Sequence, residues 1–235
     1  MLLSAEHLSI NFGMRQLLSD VNFYLEEGKK AGIIGINGTG KSTFLKVLAG
    51  AIEADEGRIV RSPNAQISYL SQNPVMEDEA TILEQIFLHF PREFRELNEY
   101  EAKSMLTKLG FLDFTQKVGT LSGGQRKRVA LVSALVHPAD ILILDEPTAV
   151  LTPQEVNELF KSLTALVEDG YSIILITHHM TEAIRAQRVI VMDKGKILAD
   201  GSPKEVFVQV DLLEDAQLTV PATTRLLHEL NKAGF

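Results

Sequence analysis

The stretch Gly35–Ser42, GINGTGKS, decides what fold this chain can adopt. An apolar segment precedes it (Ala31, Ile33, Ile34) and a helical apolar spacing follows (Phe44, Leu45, Val47, Leu48). Strand, glycine-rich turn and helix, in that order, are the setting in which this string becomes a phosphate-binding P-loop. The glycines let backbone N–H groups turn inward around phosphate oxygens, at the positive end of a helix dipole. Asn37, Gly38, Thr39, Gly40 and Thr43 are therefore read as nucleotide-binding positions. Lys41 can reach the β- and γ-phosphates, and the Ser42 hydroxyl can ligate Mg²⁺.

Outward from the loop, the chain alternates strands with helical patterns. Leu8, Ile10 and Phe12 alternate with polar residues, as do Val21, Phe23 and Leu25. Two strands of a half-exposed antiparallel sheet follow from that period of two. ISYL, ending at Leu70, gives another strand. From Asp78 to Val118 the pattern turns helical, with apolar helices around Ile82, Leu83, Ile86 and Phe87 and around Met105, Leu106 and Leu109. Buried strands then recur at Ile141–Leu144, Ile173–Ile176, Val189–Met192 and Lys196–Ala199, spaced by helical segments. Such spacing predicts a largely parallel sheet covered on both faces. SPKE at Ser202–Glu205 reads as a capping box with proline at the first helical position. A last amphipathic helix is expected from Pro221 toward Gly234.

Bulk properties narrow the class. The 235 residues hold 23 basic and 31 acidic side chains, a net charge of −8. An acidic chain is poorly suited to gripping nucleic acid through its phosphates. Without cysteine, disulfides and thiolate metal sites are excluded. No apolar run approaches the roughly 20 residues that cross a bilayer, and no secretory signal is visible. A cytoplasmic chain is expected, with any membrane role arising through a partner at the inner face.

Two further segments carry chemistry. ILILDEP (Ile141–Pro147) is an apolar strand ending in two carboxylates. Asp145 is placed to hold the Mg²⁺ shell, and Glu146 to orient or deprotonate an attacking water. LSGGQRKR (Leu121–Arg128) sets Ser122, Gly123, Gly124 and Gln125 at a second phosphate-ready helix start. Two anion sites of different design do not easily serve one nucleotide within a monomer. A head-to-tail pair, each P-loop facing the other chain's LSGGQ, is the economical arrangement. Neither a kinase acceptor site nor a guanine-reading NKxD segment is found.

At these residues the chain resembles the ATP-binding-cassette (ABC) ATPases, whose own signature is LSGGQ. The resemblance covers residues 1–212 and implies an α/β P-loop NTPase fold. That fold has a RecA-like core with a mostly parallel sheet, an N-terminal antiparallel β-subdomain and an inserted helical subdomain. One cassette is expected over 1–235. Residues 1–77 would form the β-subdomain and P-loop core, and 78–137 the helical subdomain with the signature. Residues 138–211 would be core, and 212–235 a helical tail. The resemblance also implies ATP and Mg²⁺, a second ABC domain (the same chain or another) and a transmembrane transporter subunit. It makes Gln72 a ligand of Mg²⁺ or of the attacking water, His178 a γ-phosphate contact, and Phe12 the aromatic stacked on adenine. One position departs from the pattern: Thr152 stands where the family places an aspartate that reaches across the dimer.

Different stretches resemble different branches. Residues 1–147 look like the ABC-F proteins of the translation apparatus, which makes a ribosome-associated factor the competing function. Residues from 171 onward look like energy-coupling-factor importer ATPases. A composite origin (chimera, reconstructed ancestor or engineered nucleotide-binding scaffold) is one reading of that mixture.

Overall fold

A strand with apolar residues at consecutive positions has two faces to cover. Four segments of this chain have that character, and in the computed structural model, which describes residues 2–232, they occupy the centre of a six-stranded sheet. The strands are β1 (Leu3–Phe12), β2 (Arg15–Leu25), β3 (Lys30–Ile34), β4 (Glu56–Arg61), β5 (Ile67–Leu70), β6 (Ile141–Asp145), β7 (Ser172–Ile176), β8 (Arg188–Asp193) and β9 (Lys196–Gly201). The helices are α1 (Lys41–Leu48), α2 (Ile82–Ile86), α3 (Arg92–Lys108), α4 (Gly123–Val136), α5 (Pro153–Glu168), α6 (Met180–Ala183), α7 (Pro203–Phe207), α8 (Val210–Asp215) and α9 (Ala222–Lys232).

The large sheet runs β5-β6-β7-β3-β8-β9, parallel except for the returning edge strand β9. Period two then sorts its side chains. Ile141 and Ile143 of β6 face α1 and the smaller sheet, with Ile174 and Ile176 of β7 beside them. Leu142, Leu144, Ile173 and Leu175 face the opposite way, onto α4 and α5. Val189 and Val191 of β8 pack toward α6, α7 and α8. A separate apolar cluster joins α2, α3 and α4 through Ile82, Ile86, Leu106, Val129 and Val132. The architecture is the α/β P-loop arrangement expected, with a mixed, mostly parallel sheet, an antiparallel sheet and a helical insertion.

The antiparallel sheet has three strands, β2-β1-β4, one more than the sequence suggests. Only Ile59 of β4 is even partly buried, so no alternation advertises that strand. Strands β1 and β2 also begin earlier than their periodic stretches, and the reason is a pair of bulges. His7 and Asp20 both adopt left-handed backbone (φ 53° each), and the pairing register shifts between Ala5 and Leu8. An extra residue reverses the phase of the alternation. Leu3, Ala5, Leu8 and Ile10 therefore all face the core, with an odd step between Ala5 and Leu8. The two bulges meet where His7 Nδ1 and Asp20 Oδ1 lie 2.7 Å apart.

Helix α7 starts where the SPKE pattern places it: Ser202 caps the backbone of Glu205, whose carboxylate answers the Ser202 N–H. Helix α8 is six residues long with no side-chain cap, and neither signal that reveals a helix in sequence is present. Helix α9 lies within the expected terminal segment, whose residues 233–235 fall outside the described residues.

Gly57 of β4 meets the bulge of β1 backbone to backbone. A Cβ there would lie 2.4 Å from the His7 carbonyl oxygen, and its φ is +90°. Gly57→Ala is expected to destabilise folding by at least about 2 kcal/mol, measured by urea denaturation. Val60→Ala on the same strand, 42% exposed, should change stability by no more than about 0.5 kcal/mol.

Candidate nucleotide site

The site gathers at the carboxyl ends of the central strands, where open α/β sheets bind their ligands. Strand β3 delivers residues 35–40, which turn sharply into α1. Gly40 makes the turn possible: its φ is +99°, and a Cβ would lie 2.5 Å from the Leu17 carbonyl oxygen. Thr39 locks the loop by donating from Oγ1 to the Ile36 carbonyl at 2.9 Å. Lys41 is 5% exposed, and its Nζ donates to the carbonyls of Gly35 and Ile36, both at 2.7 Å. Burial holds this ammonium below the ordinary lysine value, while Glu146 and Asp145 pull it back up.

Strand β6 ends at Asp145, which is 2% exposed. The Ser42 hydroxyl donates to Asp145 Oδ1 at 3.1 Å. Oδ2 is buried with no hydrogen-bond partner among the described residues. Burial raises the Asp145 pKa, Glu146 adds to the rise, and Ser42, Lys46 and Lys41 oppose it. An orphaned carboxylate oxygen beside a serine hydroxyl is an oxygen donor set. Mg²⁺ is bound in this manner, through one or two carboxylates with phosphate oxygens and water rather than by a protein cage. The residues therefore fit the ion.

Glu146 follows in left-handed backbone (φ 53°), which costs a non-glycine residue roughly 1–3 kcal/mol and is characteristic of functional positions. The turn aims its carboxylate at two partners. His178 Nε2 lies 2.5 Å from Oε1, and Gln72 Nε2 donates to Oε2 at 3.3 Å. A carboxylate only accepts, so Nε2 of His178 is the donor. Three residues separated widely in sequence thus meet at one carboxylate. With Asn37, Gly38, Gly40, Lys41, Ser42 and Thr43, they line a cleft of about 400 Å³.

Arg15 and Leu17 also line this cleft, and sequence reasoning missed both. Arg15 Nη2 donates to the Gly38 carbonyl at 3.1 Å, bringing a cation to the loop from the β1–β2 turn. Phe12, paired in register with Arg15, is 79% exposed, so its ring is not a core residue. A second missed group is Glu182, 5% exposed. It accepts from Thr148 Oγ1 at 2.9 Å and from Thr177 Oγ1 at 2.5 Å, joining the loop after Glu146 to the residue before His178. Its only sequence sign was its position four residues beyond that histidine.

The signature segment lies apart: none of Ser122, Gly123, Gly124 and Gln125 belongs to the cleft lining. Ser122 caps α4, accepting from the Gln125 N–H at 3.3 Å, while Gln125 Oε1 accepts from the Ser122 N–H at 2.9 Å. A Cβ on Gly123 would meet nothing within 4 Å, so this helix start is open to another molecule. Arg128 ties α4 to the loop after Glu146, donating to Val150 O and Leu109 O, both at 3.1 Å, and pairing with Glu155 at 3.2 Å. Thr152 is the N-cap of α5, its Oγ1 accepting from the Glu155 N–H at 3.4 Å in a capping box.

Comparison with known proteins agrees with this geometry. A family model described as "ABC transporter" matches residues 18–149. The Energy-coupling factor transporter ATP-binding protein EcfA1 of Caldanaerobacter subterraneus subsp. tengcongensis is 36% identical, over 93% of this chain and 85% of that protein. The uncharacterized ABC transporter ATP-binding protein YfmR of Bacillus subtilis is 32% identical over 95% of this chain, which spans 41% of YfmR. Among solved structures, an ATP-binding subunit of an ABC transporter superposes with a TM-score of 0.80 at 24% identity, covering 92% of this chain and 98% of that one. The chain belongs to the ABC transporter family and is an ATP-binding, ATP-hydrolysing cassette of it.

The unpaired Asp145 gives a pH-dependent prediction. A buried carboxylate with a raised pKa weakens folding while ionised, and the penalty fades as pH falls through that raised value. Asp145→Asn is therefore expected to raise the thermal midpoint of the nucleotide-free protein near neutral pH. The gain should shrink in acid as the wild-type carboxyl takes up its proton, and scanning calorimetry across pH reads it directly.

Proposed function

We propose that this cassette hydrolyses Mg-ATP between two chains arranged head to tail and transmits closure to a membrane transporter subunit. The observation that carries it is the separation of two phosphate-ready sites, a P-loop cleft without signature residues and an exposed signature helix start. A second ABC domain, from this chain or another, brings Ser122, Gly123, Gly124 and Gln125 of one chain opposite Lys41 and Ser42 of its partner. Dimeric association is described for a neighbour of the same fold, the ATP-binding cassette MJ0796 bound to ADP and Pi, at TM-score 0.78 and 23% identity.

Within the cleft, Asn37, Gly38, Thr39, Gly40 and Thr43 hold the phosphates through the loop and the start of α1, and Phe12 stacks on adenine. Lys41 exchanges its two carbonyl partners for β- and γ-phosphate oxygens. Ser42 and Asp145 would hold Mg²⁺, with Gln72 contacting the ion or the attacking water, and the ion would supply positive charge against the phosphates. In the structure the Glu146 carboxylate is engaged by both His178 and Gln72. A γ-phosphate offers those two donors a more highly charged acceptor, which frees Glu146 to take the proton of the attacking water. His178 and Lys41 then stabilise charge on the transferring group.

Residues 1–235 act as a single cassette in this reading. Relatives 36% and 32% identical each span more than nine-tenths of the chain, which supports one continuous unit over a junction of two halves. The energy-coupling-factor relatives favour an importer over a ribosomal factor, and the net charge of −8 agrees with them. Among the described residues no helix is long and apolar enough to cross a membrane. In this reading a separate membrane subunit supplies the spans, and the cassette works at its cytoplasmic face.

Glu146→Gln is expected to keep ATP binding and to lower turnover by about 100-fold or more. The wild-type rate per chain should rise with protein concentration if two chains form each site. A wild-type rate in the variant rules out Glu146 as the base, and co-sedimentation with ribosomes in Mg-ATP would favour the translation-factor reading. Thr152→Ala should cost about 1 kcal/mol by loss of the cap, whereas Thr152→Asp should keep it. Urea titration of the two variants separates the cap from any role of this position in turnover.

A further inference from the structure

At the opposite end of β3 from the P-loop lies a second cleft, of about 690 Å³. Its floor is Phe160 of α5, fully buried with the core on its inner side. Two cations rest on that ring: Lys30 Nζ is 5.5 Å and Arg185 Cζ 4.9 Å from the centroid. Lys30 is 5% exposed, and its ammonium has no hydrogen-bond acceptor and no ion pair among the described residues. Arg185 donates to Asn157 Oδ1 at 2.7 Å and likewise has no acidic partner among them. Of the acidic side chains lining the cleft, Glu158 is paired with Lys161 at 2.7 Å, and Glu168 pairs with neither cation.

A lysine this buried is normally matched by a carboxylate, because desolvating a charge without a counter-charge is unfavourable. Cation–π contact supplies only part of that compensation. Burial, then the neighbouring Arg185 charge, hold the Lys30 ammonium below its ordinary value, so a bound anion would relieve both penalties. Lysine as a compact charge and arginine as a planar fork form the pair that suits phosphate and carboxylate groups. The cleft volume falls within the range of small-molecule sites.

We infer that Lys30 and Arg185 form an anion site, distinct from the nucleotide cleft, that binds a small molecule through a phosphate or carboxylate group. No lining residue is shared with the nucleotide cleft. The site bridges two segments that lead away from the chemistry: Asn157 is on the helix that begins beyond Thr152, and Arg185 follows His178 by seven residues. An anion here would brace those segments against each other.

The test is calorimetric titration of the whole chain with inorganic phosphate and, separately, with citrate, at fixed ionic strength and saturating Mg-ADP. Lys30→Met and Arg185→Gln are titrated alongside, and unchanged ADP affinity shows that both variants fold. Saturable binding of at least one anion is expected, weakened about tenfold or more in both variants. Phosphate alone assigns a phosphate-bearing ligand, and citrate alone a carboxylate. Failure of both anions to bind, or binding retained in either variant, overturns the site, and leaves the nucleotide cleft and its reading untouched.

Discussion

The cleft depends on an electrostatic arrangement that is incomplete without a ligand. Lys41 and Asp145 are buried together, one cation and one anion, yet they are not hydrogen-bonded to each other. Lys41 is satisfied by loop carbonyls, and among the described residues Asp145 accepts only from the Ser42 hydroxyl. Burial disfavours the charge on each. Phosphate for the lysine and a divalent cation for the aspartate relieve both at once. Under the proposed function, Mg-ATP supplies both and so offsets that cost.

The surrounding fold serves to hold that pair. Strand β3, through the loop that enters α1, and strand β6 bring Lys41 and Asp145 to the same end of the sheet, with β7 between the two strands. The same β7 leads to Thr177 and His178, so the histidine arrives beside Glu146 by sheet order alone. Glu182 then bonds Thr148 and Thr177 and fixes the spacing of the two loops. The strain at Glu146 is tolerated because its neighbours over-determine it, with Pro147 following and Thr148 tied down.

How much of this was legible in the sequence follows from what each signal is made of. The P-loop, the apolar strand ending at Asp145 and the capped helices α4 and α7 are local: their residues sit next to one another in the chain. The meeting of Gln72, Glu146 and His178 is not local, and only the family resemblance anticipated it. Strand β4 was invisible because it buries almost nothing, and the early halves of β1 and β2 because bulges break their alternation. Arg15 escaped because a turn arginine has no pattern of its own, and its contact is to a carbonyl far along the chain. In the sequence, Thr152 stands where the family places an aspartate that reaches across the dimer. In the structure it retains one job of an aspartate at that position, capping α5.

Lys30 shows the converse, a residue with no motif that becomes conspicuous only when its surroundings are known. In the sequence it is one of two lysines before an apolar strand. It packs on Phe160 without a counter-ion among the described residues, a buried charge that the nucleotide chemistry does not use.

In the proposed head-to-tail arrangement, a second chain completes each catalytic site. Sedimentation velocity of the Glu146→Gln variant with Mg-ATP, and with Mg-ADP as control, tests it most directly. A dimer formed with ATP, absent with ADP and abolished by adding Ser122→Arg at the exposed signature, is the result predicted. A species that stays monomeric with ATP at every concentration, while still binding it, would contradict the head-to-tail site.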